Sequence, residues 1–226
     1  MSYGTEAVDS LRPTADMPGL AMLTGMLGNA LGYRRTEPGR LEALQARLSY
    51  AARLDRRGEV VRDFQTARLG KGDTAWTTRG RVGRDGGPDT YDSPVIRQVD
   101  YHADRVCVVA LALAGAVSGP TLDDLGHALA FPARPLFIGR KACAPSAPLM
   151  AGFREGADLL DVLMREPLRA DPDAGTVAIQ VDGEPRDASW RGATVADRRS
   201  WGPGAFGGGR RVSLATVPAT EFGRAA

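Results

Sequence analysis

The chain has 226 residues, 43% hydrophobic and 25% charged, enough for one well-buried core plus a smaller lobe and too apolar for a disordered chain. The formal net charge is only +2, but Lys71 and Lys141 are the only lysines and every other cation is arginine. Arginine forks pair bidentately with phosphate and stack on bases, and a GC-rich genome enriches them too, so the balance permits a nucleic-acid partner without demanding one.

Cys107 and Cys143 lie in apolar surroundings without metal-ligand spacing and read as reduced core residues of a cytoplasmic protein. The apolar run Leu20 to Leu31 follows Glu6, Asp9 and Asp16, the wrong flank for a signal peptide, and nothing approaches the ~20 apolar residues of a membrane span.

From the start of the chain, Arg12-Pro13-Thr14 is an extended or turn segment, and Met17 to Tyr33 reads as a helix. Leu20, Leu23, Leu27 and Leu31 form one buried stripe, while Gly25, Gly28 and Gly32 recur on another face and predict close approach of another backbone, from a strand of the same fold or a neighbouring subunit. A short helix, Arg40 to Ala46, and a strand, Leu48 to Leu54, follow. Residues 62–84 hold six cations against two acids, a net +4, and Gly70, Gly72, Gly80, Gly83, Gly86 and Gly87 deny the stretch a core. Such an excursion is an arm suited to a phosphate backbone, with Trp76 available to stack on a base, or equally an insertion with solvated charges.

Val106 to Leu113 is a continuous apolar, β-branched run and predicts a central strand. Pro120-Thr121 opens a helix through Ala130, capped by Thr121 with Asp123 and Asp124 in the first turn. Leu136-Phe137-Ile138 predicts the next strand, and Gly139-Arg140-Lys141 at its end places two cations at a strand mouth, where a phosphate-bearing ligand would be met. A solvated surface loop fits the same residues. Further on, Ala157 to Arg165 is a short helix, Thr176 to Val181 a strand that Arg186 to Trp190 pairs with across Asp182-Gly183, and Arg210 to Val217 a final strand after a glycine-rich stretch.

The order is that of an α+β, ferredoxin-like βαββαβ unit from which the first strand is missing or truncated, with only Ser2 and Tyr3 where it should be. Either the chain begins upstream of Met1 or the sheet is completed otherwise. The expected organisation is residues 1–150 as this domain, with a thumb inserted at about 61–97, and residues 151–226 as a small β-rich lobe.

Six motifs in order carry a resemblance: Tyr3-Gly4, Arg12-Pro13-Thr14, the glycine-patterned helix Met22 to Gly32, Asp63-Phe64-Gln65-Thr66, the strand Tyr101 to Leu111, and Ile138 to Pro145. Over about residues 2–212 the chain resembles the CasD family of CRISPR-associated RAMP proteins, the subunit that caps the 5′ handle of the guide RNA in type I-E Cascade. The resemblance implies a modified RRM-like domain with a basic thumb. It implies handle RNA held by Phe137, Ile138, Gly139, Arg140, Lys141, Ala142 and Cys143, with Tyr3, Gly4 and Arg12 beside them, and Gly139 allowing close approach.

The thumb would follow the RNA backbone through Arg62, Gln65, Arg68, Lys71, Trp76, Arg79, Arg81 and Arg84. Arg198, Arg199, Arg210 and Arg211 are secondary RNA candidates, with a solvated patch as the alternative. Implied partners are the crRNA 5′ handle, the Cascade backbone and large subunits, and target DNA indirectly through the guide duplex, in a ribonucleoprotein of antiviral defence, with no membrane.

The chain departs from the family where Gly19-Leu20-Ala21 replaces a hydroxyl-and-cation segment, although backbone N–H groups at that helix start could still bind phosphate. Gln65 replaces a histidine. No carboxylate cluster, phosphate-binding P-loop or cofactor motif is visible, and no catalytic or metal residue is expected. Type I-C relatives cut precursor RNA without metal, and Tyr101 and His102 with Lys71 or Lys141 are the only candidates for that chemistry here, while His127 lies on the polar side of a helix. A purely architectural subunit is the third reading.

Overall fold

The computed structural model describes residues 1–4, 10–68, 94–115, 118–170 and 175–223. The thumb candidates Lys71, Trp76, Arg79, Arg81 and Arg84 lie outside them. The larger sheet has five strands: β2 (Leu48–Arg56), β5 (Val106–Leu113), β6 (Thr176–Asp182), β7 (Arg191–Val195) and β10 (Arg210–Pro218), in the order β5-β2-β6-β10-β7. The smaller sheet sets β1 (Leu11–Arg12) parallel to β4 (Val95–Ala103), which pairs antiparallel with β3 (Glu59–Ala67). Two short strands, β8 (Arg199–Ser200) and β9 (Ala205–Phe206), form a separate hairpin.

Among the described residues there are four α-helices: α1 (Leu20–Ala30), α2 (Pro38–Arg47), α3 (Leu122–Ala130) and α4 (Leu159–Arg165). Leu20, Leu23 and Leu27 of α1, Leu41 and Leu44 of α2 and Leu125 of α3 pack on Leu48, Tyr50 and Ala52 of the large sheet. The other face, through Ala51, Val177, Ile179 and Val181, is covered by Leu163 of α4 and by Phe222. With both faces buried, β2 reads as an almost continuously buried strand rather than an alternating one.

The helices follow local rules where those rules are strong. Thr121 and Asp124 form the reciprocal capping box of α3, and Asp158 caps α4 through the Asp161 N–H at 2.8 Å. The predicted helix from Met17 begins only at Leu20, after Pro18 and Gly19. The carboxylate of Asp197 accepts from Leu20 N at 2.8 Å, and its carbonyl accepts from Ala21 N at 3.0 Å. The helix start is thus occupied by this chain's own anion, which corrects its reading as a phosphate site.

The glycine face of α1 also meets different neighbours from those expected. A Cβ on Gly28 would stand 2.4 Å from Leu41 Cδ2, and one on Gly25 would stand 3.3 Å from the Trp201 ring. Side chains, not a strand backbone, take up the space. Gly32, at φ +79, ends the helix.

Tyr101 to Leu111, expected as one strand, is two. Asp104 adopts φ +52 and the chain turns there, so Tyr101 belongs to β4 and Leu111 to β5, in different sheets. Arg56 stabilises the turn by donating to the Asp104 carbonyl at 2.9 Å and its carboxylate at 2.7 Å. The chain enters β4 at Val95, before the strand expected from Val106, and the described ends of the expected thumb are the paired strands β3 and β4.

Among the described residues β5 pairs only with β2, so it is an edge strand with half-buried side chains and not the central strand its composition predicts. Leu136 to Ile138 belongs to no strand among the described residues, Ile138 lying at a bend, and Arg186 to Trp190 is turn and bend; β6 pairs instead with β2 and β10. The large sheet therefore takes strands from both sides of the expected boundary at residue 150. No described helix is long and apolar enough to cross a membrane.

One buried ion pair ties the layers together. Arg53 is fully buried, its guanidinium forked onto Asp55 at 2.6 and 3.0 Å and donating to the carbonyls of Leu163, Glu166 and Pro167 just at and beyond the last turn of α4. Those carbonyls lack helical partners, and a cation there also complements the helix dipole.

Candidate nucleic-acid interface

The loop from Phe137 to Cys143 is closed by its own backbone: Ile138 N donates to Cys143 O and Cys143 N to Arg140 O, both at 2.8 Å. The N-terminal residues brace it from behind. Met1 and His102 exchange two hydrogen bonds of 2.7 Å through backbone groups and the chain amino group, and Ser2 N donates to Ile138 O at 3.1 Å. Residues 1–3 thus occupy a strand-like position between β4 and the loop.

Gly139 has φ +82, and a Cβ there would lie 1.6 Å from the carbonyl oxygen of Ser2. The glycine is required by this chain's own backbone, a reason that the sequence did not show. Arg140 is also committed internally. Its guanidinium donates to Asp100 O at 2.9 Å and Arg12 O at 3.2 Å and lies 5.2 Å from the centre of the Tyr101 ring, joining the loop to β4 and β1. Lys141 and Ala142 are exposed, and Lys141 makes no hydrogen bond or ion pair with the described residues. Lys141 is therefore the unpaired cation at this loop among the described residues, and Arg140 the strut beside it.

The other candidates divide. Tyr3 is core: 2% exposed, its hydroxyl 2.8 Å from Met1 Sδ and its ring 5.8 Å from that of His102, with burial driving its hydroxyl pKa far above normal. Cys143 is buried as well, and Cys107 is pushed up to about 12 by burial; both thiols are free. Gly4 is exposed with open space around it, and Arg12 carries β1. Ile138 and Phe137 are half-buried.

On β3, Arg62 forks onto Asp100 at 2.7 and 3.0 Å, holding that carboxyl below its usual range, and Gln65 donates to Asp63 at 2.6 Å. Arg68 is exposed. Val60, Phe64 and Ile96 leave the same face of the hairpin apolar and exposed around that ion pair.

His102 is 3% exposed, its Nε2 lies 2.9 Å from the carbonyl of Ala15, and its Nδ1 is buried without a partner. Burial lowers its pKa, outweighing the Ala15 hydrogen bond. The neutral imidazole with Nε2 protonated fits this pocket, which keeps the ring from the solvent side where Lys141 stands. Among the described residues no group of three or more His, Cys, Asp or Glu could hold a metal ion.

The C-terminal arginines separate by role. Arg210 is buried between Asp197 and Asp182 and also donates to the Tyr50 hydroxyl at 2.7 Å, while Arg211 forks onto Glu184 at 3.0 and 2.9 Å. Arg210 is thereby committed inside the fold, whereas the Arg211 pair lies exposed at the surface. Arg198 is exposed, and Arg199 lines a cavity together with Phe137, Arg134 and Trp201. Sequence reasoning missed Arg134 and Trp201. The only signal for Arg134 was its position between Pro132 and Pro135, three residues before the loop.

The family model described as CRISPR-associated protein (Cas_Cas5) matches residues 1–211, and the chain belongs to this Cas5 family. It is 26% identical over 179 residues to the CRISPR system Cascade subunit CasD of Escherichia coli K12, covering 75% of this chain and 74% of that protein. A chain from a structure titled CRISPR RNA-guided surveillance complex superposes with a TM-score of 0.69 at 25% identity, over 98% of this chain and 88% of the other. A second structure, described as a Cas protein, superposes with a TM-score of 0.60 at 20% identity over 99% and 93% of the two chains, a likeness of fold alone.

Proposed function

We propose that this protein is the non-catalytic guide-RNA-binding subunit of a type I-E surveillance complex in the cytoplasm, capping the 5′ handle of the crRNA. The single observation that carries the reading is the braced loop at Phe137 to Cys143, which holds Lys141 unpaired in solvent in a chain related to a Cascade subunit. A preorganised loop loses little entropy on meeting a flexible single strand, and a free ammonium takes a phosphate as a point charge. The adjoining complex subunits would contact the β3–β4 hairpin, and target DNA would be met only through the guide duplex. The order α1, β2, β5, α3, with both helices on one face, supports an RRM-like core in which, among the described residues, β5 has a strand partner on one side.

The burial of His102, and its Nε2 contact with Ala15, favour binding over cleavage, since a general base must reach the ribose hydroxyl. Lys141→Ala tests the reading in a salt titration with single-stranded handle RNA. The expected result is weaker binding and a log K against log salt slope shallower by about 0.7, one phosphate contact on a single strand. An unchanged slope overturns it. Incubation with repeat RNA should leave the RNA intact; sequence-specific cleavage lost in His102→Ala would make the protein a processing ribonuclease instead.

A further inference from the structure

The carboxylate of Asp100 is an odd neighbour for a loop that binds phosphate. Its side chain is 8% exposed, and Arg62, its register partner across β3 and β4, forks onto it at 2.7 and 3.0 Å. The carbonyl of the same residue accepts from Arg140 Nη1 at 2.9 Å and from Ser2 Oγ at 3.2 Å, which fills both lone pairs of that oxygen. Tyr101, the next residue, has the Arg140 guanidinium 5.2 Å from its ring centre, and Arg140 also donates to Arg12 O of β1 at 3.2 Å. Ser2 in turn is the residue on which Gly139 packs. One residue of β4 therefore holds β3 by its side chain and the loop by its backbone.

A nearly buried anion beside the loop opposes an anionic ligand by charge, and its burial costs solvation. Held for its charge alone, it would be unfavourable on both counts. What the carboxylate supplies is geometry: the bidentate fork fixes the rung between Arg62 and Asp100, and a fixed rung fixes the carbonyl onto which Arg140 is clamped. Arg140 immediately precedes Lys141, so an error at that carbonyl passes to the lysine through one peptide unit.

We propose that Asp100 is a positioning residue for RNA capture, setting Lys141 through Arg140 while taking its own orientation from Arg62 on β3. At 6% exposed, the residue itself offers a ligand little surface. The inference rests on the reading of the Phe137 to Cys143 loop as an RNA site, and adds that the paired strands β3 and β4 act with the loop as one unit. The sign of the effect separates position from charge. A carboxylate acting by charge alone repels RNA, so its removal strengthens binding; one acting by position supports the loop, so its removal weakens binding.

The test uses the full chain and fluorescent single-stranded handle RNA, with affinity read by anisotropy over a salt titration and folding by thermal unfolding. Asp100→Ala should weaken binding about three- to tenfold, and its log K against log salt slope should become shallower by up to about 0.7, the phosphate contact of Lys141 on a single strand. Simple loss of folding would lower the active fraction and leave that slope alone. Asp100→Asn keeps the size and one acceptor for Arg62, so it should shift affinity and slope in the same direction by less, and it carries the test if the alanine variant unfolds. Lys141→Ala/Asp100→Ala should bind no worse than the weaker single variant, because both lose one contact; losses that add would place the action of Asp100 outside the loop and overturn the proposal. If Lys141→Ala binds less well while the folded Asp100 variants bind as tightly as the wild type or tighter, the positioning role is overturned and the loop reading stands. If Lys141→Ala binds as the wild type does, the loop reading falls and the positioning role with it.

Discussion

The carbonyl oxygen of Ser2 lies where a side chain on residue 139 would begin, 1.6 Å from an ideal Cβ on Gly139. The second residue of the chain and the hinge of the candidate RNA loop are thus parts of one packing unit. Gly139→Ala would combine a left-handed backbone with a clash against backbone, and neither can be relieved by a rotamer change. The expected loss is about 3 kcal/mol, with RNA affinity falling as the loop leaves its brace. Urea unfolding measures the first effect and a binding titration the second; a variant as stable as the wild type would show that the N-terminal residues do not pack here in solution.

Arg53 and Asp55 are the second stake in stability. Arg53→Met keeps much of the volume but strands a buried carboxylate and leaves the last carbonyls of α4 unmet, and should cost about 3–5 kcal/mol. The double variant Arg53→Met/Asp55→Leu should recover part of that loss, since the stranded charge goes with it. The urea midpoint at constant m-value is the measurement, and a double variant less stable than the single one would show that the pair contributes more than charge compensation.

Asp197 joins the start of α1 to the C-terminal strand. Asp197→Ala removes the acceptor for Leu20 N and one of the two carboxylates around Arg210, which is 8% exposed. A lost cap accounts for about 1 kcal/mol and a weakened buried pair for more, so a loss of about 3 kcal/mol is expected. Asp197→Asn should lose less, because the amide oxygen can still cap the helix. Calorimetry on the two variants separates capping from charge.

The pH dependence follows from His102. Burial depresses its pKa below the ordinary 6.5, with Arg105 and the N-terminal amino group adding to the effect and Ala15 and Asp16 opposing it. Between the folded pKa and 6.5 the unfolded chain binds a proton that the folded chain refuses. The contribution to stability is therefore whole above pH 6.5 and is lost progressively as the pH falls to the folded value. Urea midpoints at pH 7.5 and 5.5 should differ less in His102→Gln, which keeps a donor for the Ala15 carbonyl but does not titrate. An equal pH response in both proteins would place the titrating group elsewhere.

What the sequence determined by itself is whatever depends on neighbours along the chain. The leucine stripe gives α1, Thr121 and Asp124 give the start of α3, and the apolar run gives β5, because spacing and capping act over a few residues. The order of six motifs was also legible and pointed to the family that the chain belongs to. Tertiary structure alone decided where charges end.

Arg140, Lys141, Arg199, Arg210 and Arg211 look alike in sequence, yet Arg140 braces two carbonyls, Arg210 and Arg211 are spent on carboxylates, Arg199 faces a cavity and only Lys141 stands free. The partners of the bound ones lie up to 128 residues away along the chain. An arginine's availability is set by which carboxylate or carbonyl the fold brings within about 3 Å, and that distance is a property of packing. The same reason explains Gly139, whose need for a missing side chain is imposed by Ser2 and is invisible until the two meet.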